Sequence, residues 1–269
     1  MNECLIDGQI LEHIHVSDRG LSYGDGLFET IPVVQGQPRW WQDHIDRMST
    51  GCERLGLNMP PQALLLREAQ TVSAGQHRCV VKIVLTRGMG IRGYAPMPGV
   101  DQTRIVSSHA WPTGLEEDRM TGVVARTCDL RLAIQPSLGG MKHLNRLEQV
   151  LASREMADYE GQTGILRDMD DHVISAVSAN LFLVFGQQIL TPRLDRSGVR
   201  GVLRARIRKV FKTRCELRRI MPEMLAEADE VFLGSTLRGI VPVTSIYDLQ
   251  FSIGPVTREL QACLSELLD

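Results

Sequence analysis

The sequence predicts an α+β protein built of two domains, and three observations carry that reading. Strand-like and helix-like patterns interleave along the chain without strict βαβ alternation. A chain of 269 residues with 43% hydrophobic content is long enough to bury one large core or two modest ones. Around residues 112–120 the periodicity stops at a polar stretch containing Pro-Thr-Gly and three consecutive acids. That break places a linker at 115–121, between an N-terminal α+β domain at 1–114 and a C-terminal α+β domain at 122–269.

The elements follow in order. Cys4 to Glu12 reads as a strand pair about Asp7-Gly8, and Leu27 to Val34 as a strand that turns at Gln35-Gly36-Gln37. Ile45, Met48, Cys52 and Leu55 line one face of a helix ending near Gly56, and Pro60-Pro61 opens another that runs to about Gly75. Cys79 to Thr86 and Thr103 to Trp111 are apolar or β-branched runs and read as strands joined by a glycine-rich loop. Beyond the linker come strands at Val123 to Cys128, Thr163 to Arg167, Val173 to Ser175 and Leu181 to Phe185, then a helix from Val202 to Phe211. Strands at Cys215 to Ile220, Glu230 to Leu233 and Ile240 to Ser245 precede a closing helix, Thr257 to Leu268.

Charge and cysteine usage exclude several function classes. Thirty basic residues against 32 acidic ones leave a net charge of −2, so neither nucleic acid nor an anionic membrane is expected as a partner. The six cysteines are scattered without close pairs, which suits reduced thiols in a cytoplasmic protein and argues against a zinc site or any other metal centre. No apolar run reaches membrane-spanning length, and the first ten residues lack the pattern of a signal peptide. His13-Ile14-His15 and Glu116-Glu117-Asp118 read as surface features.

Two glycine-rich stretches invite a chemical reading. Gly88-Met89-Gly90-Ile91-Arg92-Gly93 matches the letters of the dinucleotide fingerprint, but Tyr94-Ala95-Pro96-Met97-Pro98 blocks the helix that must open on its third glycine. Dinucleotide binding is therefore rejected. Gly139-Gly140-Met141-Lys142 is more informative. The glycines let the chain pass close to another group, and Leu144, Leu147, Val150 and Leu151 recur at helical spacing, which predicts an amphipathic helix starting just after Lys142. A lysine on such a support is suited to Schiff-base chemistry once desolvation favours its neutral amine; by itself it equally suits an ordinary salt bridge.

An ordered set of motifs adds a family to this reading. Ser22 to Thr30 (SYGDGLFET), His44-Ile45-Asp46-Arg47, Lys142, Ser178-Ala179-Asn180-Leu181-Phe182, Gly201-Val202-Leu203-Arg204, Ser235-Thr236 and Val241-Pro242-Val243 resemble, in sequence order, the fold type IV pyridoxal-phosphate (PLP) enzymes. These include the branched-chain and D-amino acid aminotransferases. The resemblance spans nearly the whole chain and implies a D-amino acid aminotransferase-like fold, a PLP cofactor bound largely by the C-terminal domain, and a homodimer. It implies that Lys142 carries the cofactor and, when released, moves protons. Arg47 would bind the phosphate, together with the backbone of Val202 and Leu203, the Thr236 hydroxyl and the Leu237 amide. Taken singly, Arg47 also suits a helix-surface pair with Asp43 or Asp46.

The segment Lys142 to Glu148 and the triplet Arg92-Gly93-Tyr94 are more similar to the lyase branch of that family than to its aminotransferases. That likeness implies conversion of aminodeoxychorismate, the expected small-molecule substrate, to 4-aminobenzoate and pyruvate for folate synthesis. Aminotransfer from D- or branched-chain amino acids, and noncatalytic PLP binding, are the alternatives. Arg92 and Tyr94 are candidates for the substrate carboxylates, and as residues they equally suit an exposed loop. One position departs from the family. Five residues before Asn180, where the family has a glutamate facing the pyridine nitrogen, stands Ser175, with Asp168, Asp170 and Asp171 the nearby acids. A hydroxyl there supplies no countercharge, which favours a lyase aided by aromatisation of its product over a transaminase.

Overall fold

The computed structural model describes residues 4–265. The chain forms two compact units, the first made of residues up to Pro112 together with Lys142–Asn145, the second of Thr113–Met141 and Arg146 onward. The first unit is a six-stranded antiparallel sheet carrying two long helices. Its elements are β1 (Cys4–Ile6), β2 (Gln9–Ile10), α1 (Arg19–Tyr23), β3 (Gly26–Val34), β4 (Gln37–Pro38), α2 (Trp41–Leu55), α3 (Gln62–Val72), β5 (Arg78–Thr86) and β6 (Arg104–Ala110). The sheet order is β2-β1-β6-β5-β3-β4. α2 buries His44, Ile45, Met48 and Cys52, and α3 buries Leu65, Ala69 and Val72, the spacing that turns one helix face onto the sheet. The chain after Gly93 runs as a loop to β6 rather than opening a helix.

The second unit is built on a closed sheet. It comprises α4 (Leu115–Thr121), β7 (Val123–Leu132), α5 (Leu147–Glu155), β8 (Gln162–Asp168), β9 (Val173–Ala176), β10 (Asn180–Phe185), β11 (Gln188–Pro192), α6 (Val202–Val210), β12 (Cys215–Arg218), α7 (Glu223–Glu227), β13 (Glu230–Ser235), β14 (Gly239–Ile246), β15 (Leu249–Gln250) and α8 (Pro255–Ser265). The strand path runs β12-β11-β10-β13-β14-β7-β8-β9, and a further pairing of β9 with β10, Ser175 opposite Asn180, returns it to β10 and closes a six-stranded ring. Inside lie alternate residues of the ring strands, among them Ala125, Ile165, Val173, Leu181, Leu183, Val231, Leu233, Val241 and Val243. On the outer face Phe182 stacks on Phe232 with ring centroids 4.6 Å apart. α6 lies across them where Gly234 lacks a side chain; a Cβ there would stand 3.4 Å from Leu203 and 3.2 Å from Phe182.

Three sequence expectations are corrected here. The segment 115–121, expected as a bare linker, is the helix α4 of the second unit. The acids Glu116, Glu117 and Asp118 occupy its first turn, where the helix dipole favours negative charge, and Asp118 pairs with Arg238 at 2.9 Å. The helix expected just after Lys142 starts only at Leu147. Lys142–Asn145 groups with the N-terminal unit, so the C-terminal domain is not one continuous stretch from 122. The closing helix is present to Ser265, and the rest of its expected span lies outside the described residues.

Candidate active site

In the first unit Lys142 sits on an extended segment that completes the edge of β3. Only Val33 and Val34 of β3 pair with β4, which leaves the outer edge of Gly26–Phe28 without a strand partner. The lysine segment fills that edge: the Phe28 N–H donates to the Lys142 carbonyl at 3.0 Å, the Leu144 N–H donates to Gly26 at 3.0 Å, and Leu27 bridges His143. Asn145 Nδ2 donates to the Gly24 carbonyl at 3.1 Å. The Lys142 ammonium lies 4.0 Å from the centroid of the Phe28 ring, within cation–π range. Just before it, Gly139 and Gly140 allow the close passage expected of them. A Cβ on Gly139 would fall 2.6 Å from the Asp195 carbonyl, and Gly140 has a φ of +80° and exchanges hydrogen bonds with Gly198 and Arg200.

Arg47 belongs to a buried network. Its Nε donates to Glu29 Oε1 at 2.7 Å and its Nη2 to Oε2 at 2.5 Å, a bidentate clasp that fixes the guanidinium plane. This clasp comes from a strand remote in sequence, and Asp46 accepts from Gln42 at 2.7 Å. His44, one helical turn before Arg47, places Nδ1 2.6 Å from Glu29 Oε2. Burial by itself raises the Glu29 carboxyl, but the charges of Arg47 and His44 and their hydrogen bonds outweigh it and bring the pKa down to about 2. His44 is lowered, chiefly by burial, against the pull of Glu29. Its Nε2 is buried without a partner. The sequence quoted Glu29 and His44 without a role, although a lone acid in an apolar strand is a signal of a buried pair.

In the second unit the candidate phosphate residues gather on the outer face of its ring. α6 is nine residues long and begins at Gly201 without a side-chain cap, so the first-turn N–H groups of Val202 and Leu203 point outward with the positive end of the helix dipole. Asn180 fixes that end. Its Oδ1 accepts from the Gly201 N–H at 3.1 Å and its Nδ2 donates to Val199 at 2.9 Å, while a Cβ on Gly201 would lie 2.0 Å from Asn180 Oδ1. Buried Arg204 ties the helix to β11 through Thr191 Oγ1 at 3.1 Å and the Pro192 carbonyl at 2.7 Å. Burial, with help from neighbouring Arg208, pushes its pKa down to about 10.

Strand register places the remaining second-unit candidates. Ser175 pairs with Asn180 and Asn180 with Gly234, so the three form one row across β9, β10 and β13. Directly opposed residues share a face, which puts the Ser175 hydroxyl on the side where Asn180 holds α6. Thr236 and Leu237 follow at the tip of the β13–β14 hairpin, where Arg238 N–H donates to Ser235 Oγ at 3.1 Å. Of the nearby acids, Asp168 is fully buried, with Oδ2 lacking a hydrogen-bond partner. Asp170 pairs with Arg196 at 2.8 Å, Asp171 with Arg167 at 2.9 Å and Arg131 at 3.0 Å, and Asp168 Oδ1 accepts from the Asp170 and His172 backbones.

Arg92 and Tyr94 lie on an exposed loop of the first unit, with Tyr94 85% accessible. The sequence missed what holds that loop, the pair of buried Arg19 with half-buried Asp25 at 2.9 Å.

Comparison with known proteins agrees with this architecture. The family model for amino-transferase class IV matches residues 26–246. An aminodeoxychorismate lyase of Vibrio harveyi is 33% identical over 97% of this chain and 98% of its own length. Among solved structures, a 4-amino-4-deoxychorismate lyase of Pseudomonas aeruginosa is 39% identical, covers 98% of both chains and superposes with a TM-score of 0.92. The branched-chain amino acid aminotransferase of Escherichia coli, 23% identical over 99% of this chain and 94% of its own, shares the fold with a TM-score of 0.89. Matched by that family model over residues 26–246 and along nearly its whole length by the Vibrio harveyi relative, the chain belongs to the amino-transferase class IV family.

Proposed function

We propose that this protein is a PLP-dependent lyase that converts 4-amino-4-deoxychorismate to 4-aminobenzoate and pyruvate in folate biosynthesis. The observation that carries the chemistry is the double anchoring of the Lys142 segment on β3, which holds a reactive amine at a fixed place beside Phe28. The full-length likeness to two lyases supports the choice of reaction. The residues present suit the cofactor: the uncapped α6 N-terminus and the clasped Arg47 are donors fit for a phosphate dianion, and Gly201 makes room for the Asn180 side chain that fixes that end of the helix. Val202, Leu203, Thr236 and Leu237 of the second unit and Arg47 of the first are the proposed phosphate contacts. Lys142 is the proposed covalent anchor. When bound, PLP supplies an electron sink for the carbon bearing the substrate amine.

The chain's own residues then have defined tasks. With the cofactor bound, the Lys142 amine would take the proton from the amine-bearing ring carbon. A proton delivered to the enolpyruvyl methylene lets the ring C–O bond break, so that pyruvate leaves and the ring becomes aromatic. Ser175 would offer a hydroxyl and no countercharge to the pyridine nitrogen, which would handicap transamination more than an elimination driven by aromatisation. Arg92 and Tyr94 are the proposed contacts for the substrate carboxylates.

The reading includes a homodimer in the cytoplasm. α5 leaves Leu147, Val150 and Leu151 exposed at 75%, 58% and 50%, a face suited to a second protomer, and all six cysteines are free thiols. Among the described residues no helix is long and apolar enough to cross a membrane. Incubating the protein with PLP and aminodeoxychorismate tests the reaction. Equimolar 4-aminobenzoate and pyruvate are expected; amino transfer from alanine or leucine to a keto acid without that pair of products would assign an aminotransferase instead.

A further inference from the structure

We infer that Arg19, paired with Asp25, is a positioning residue for the reaction: it sets the loop that carries Arg92 and Tyr94 relative to the strand edge that carries Lys142. The inference rests on the proposed role of Arg92 and Tyr94 in holding the substrate. Arg19 is 5% exposed, yet it directs its donors at an exposed loop. Nη1 donates to the Gly93 carbonyl at 3.0 Å and Nη2 to the Tyr94 carbonyl at 2.7 Å, while Nε donates to Asp25 Oδ2 at 2.9 Å. Its guanidinium lies 4.9 Å from the centroid of the Tyr23 ring. The Tyr23 hydroxyl accepts from the Gly93 N–H at 3.3 Å, and the Tyr23 and Tyr94 rings are 5.5 Å apart. Gly90 is shaped to this arrangement, since a Cβ there would stand 2.8 Å from Arg19 Cδ.

Asp25 makes the clamp a hub. Besides Arg19 it binds Arg87 through Nε at 2.8 Å and Nη2 at 3.1 Å, and Arg87 in turn donates to the Leu55 carbonyl at 2.7 Å. Asp25 is flanked by Gly24 and Gly26, whose carbonyls accept from Asn145 and Leu144 of the lysine segment. One short turn therefore fixes both the segment bearing Lys142 and, through Arg19, the backbone bearing Arg92 and Tyr94. The side chains of that loop are largely exposed, with the Tyr94 ring meeting that of Tyr23. Met89, Ile91 and Tyr94 are exposed, and Arg92 has no ion pair among the described residues. A rigid backbone that presents unsatisfied side chains is what carboxylate recognition at a set distance from the reacting amine requires.

The test compares three variants of the PLP-loaded protein with aminodeoxychorismate as substrate. Arg92→Ala examines the proposed substrate contact. Arg19→Lys keeps the charge but loses the planar fork, and Gly90→Ala keeps every charge while crowding Arg19 off the loop. The expected result is a KM raised tenfold or more in Arg92→Ala and several-fold in both clamp variants. PLP affinity and the visible cofactor band should stay as in the wild type, with faster tryptic cleavage after Arg92 in the clamp variants. A raised KM in Arg92→Ala beside a wild-type KM in both clamp variants overturns the inference and leaves the reading of the loop standing. An unchanged KM in Arg92→Ala overturns that reading and the inference with it. Parallel loss of PLP affinity in both clamp variants also overturns the inference, because Arg19 would then act on the whole unit.

Discussion

Lys142–Asn145 and Leu147–Glu155 are neighbours in one motif, yet they meet opposite fates. The first segment is extended, directs its backbone hydrogen bonds into β3, and lays Leu144 against Gly26, where a Cβ would fall 2.9 Å from Leu144 Cδ1. The second is helical and buries only Ala152, leaving Leu147, Val150 and Leu151 exposed. Both share the same i, i+3, i+4 run of apolar residues. The difference teaches that periodicity reports an apolar stripe but not what the stripe meets. Unsatisfied N–H and C=O groups on the β3 edge recruit Lys142–Leu144 before a helix can start, so a strand edge supports the lysine where the sequence suggests a helix.

The largest expected effect comes from removing the amine on the strand side of that comparison. Lys142→Ala should abolish covalent PLP attachment and lower turnover by roughly a thousandfold or more, the scale of losing a positioned base, as read by absorbance and product formation. Arg47→Ala should weaken PLP binding by roughly tenfold to a hundredfold, since it removes a charge-assisted contact, while Lys142 can still react; equilibrium titration measures it. Leu144→Pro removes the N–H that Gly26 accepts and should cost about 1–3 kcal/mol in urea unfolding, with a fall in kcat larger than any change in PLP affinity. Leu147→Ser on the helix side should change protomer stability by no more than about 0.5 kcal/mol while weakening self-association in sedimentation.

Acid sensitivity separates the Glu29 network from the rest of the first unit. Glu29 titrates at about 2 in the fold against an ordinary 4.5, so its contribution to stability is fully present above about pH 4.5 and is lost as pH falls toward 2. His44 is lowered by burial against the pull of Glu29, so its contribution is lost as pH falls below its ordinary 6.5. Both effects destabilise on acidification. Glu29→Gln should therefore reduce the loss of stability between pH 4.5 and 2 and enlarge the part that begins near 6.5, because His44 loses the carboxylate that raises it, measured by thermal melts across pH.

Much of the framework was legible because its signals are local. The strand runs Leu27–Val34, Cys79–Thr86 and Leu181–Phe185 are apolar enough to need a sheet, and Ile45, Met48 and Cys52 mark the buried face of α2. What stayed hidden depends on partners far apart in sequence. Nothing near Arg47 names Glu29 as its clasp, and nothing near Arg19 names Gly93 and Tyr94, 74 and 75 residues on. The acids of α4 looked like a linker because three charges in a row hide a helix start whose apolar residue, Leu115, is its only buried one. β11 passed unread because Gln188–Pro192 is short and ends in proline, which suits a strand end as well as a loop.

The central claim is that the strand-anchored lysine carries the cofactor, and the chain offers a sharp control. It has four lysines, Lys82, Lys142, Lys209 and Lys212, and Lys82 lies on β5 with Nζ 5.6 Å from the same Phe28 ring that Lys142 approaches at 4.0 Å. Borohydride reduction of the PLP-loaded protein followed by peptide mapping distinguishes them. A pyridoxyl label on Lys142 alone is the predicted result; a label on Lys82, Lys209 or Lys212 in its place would contradict the account.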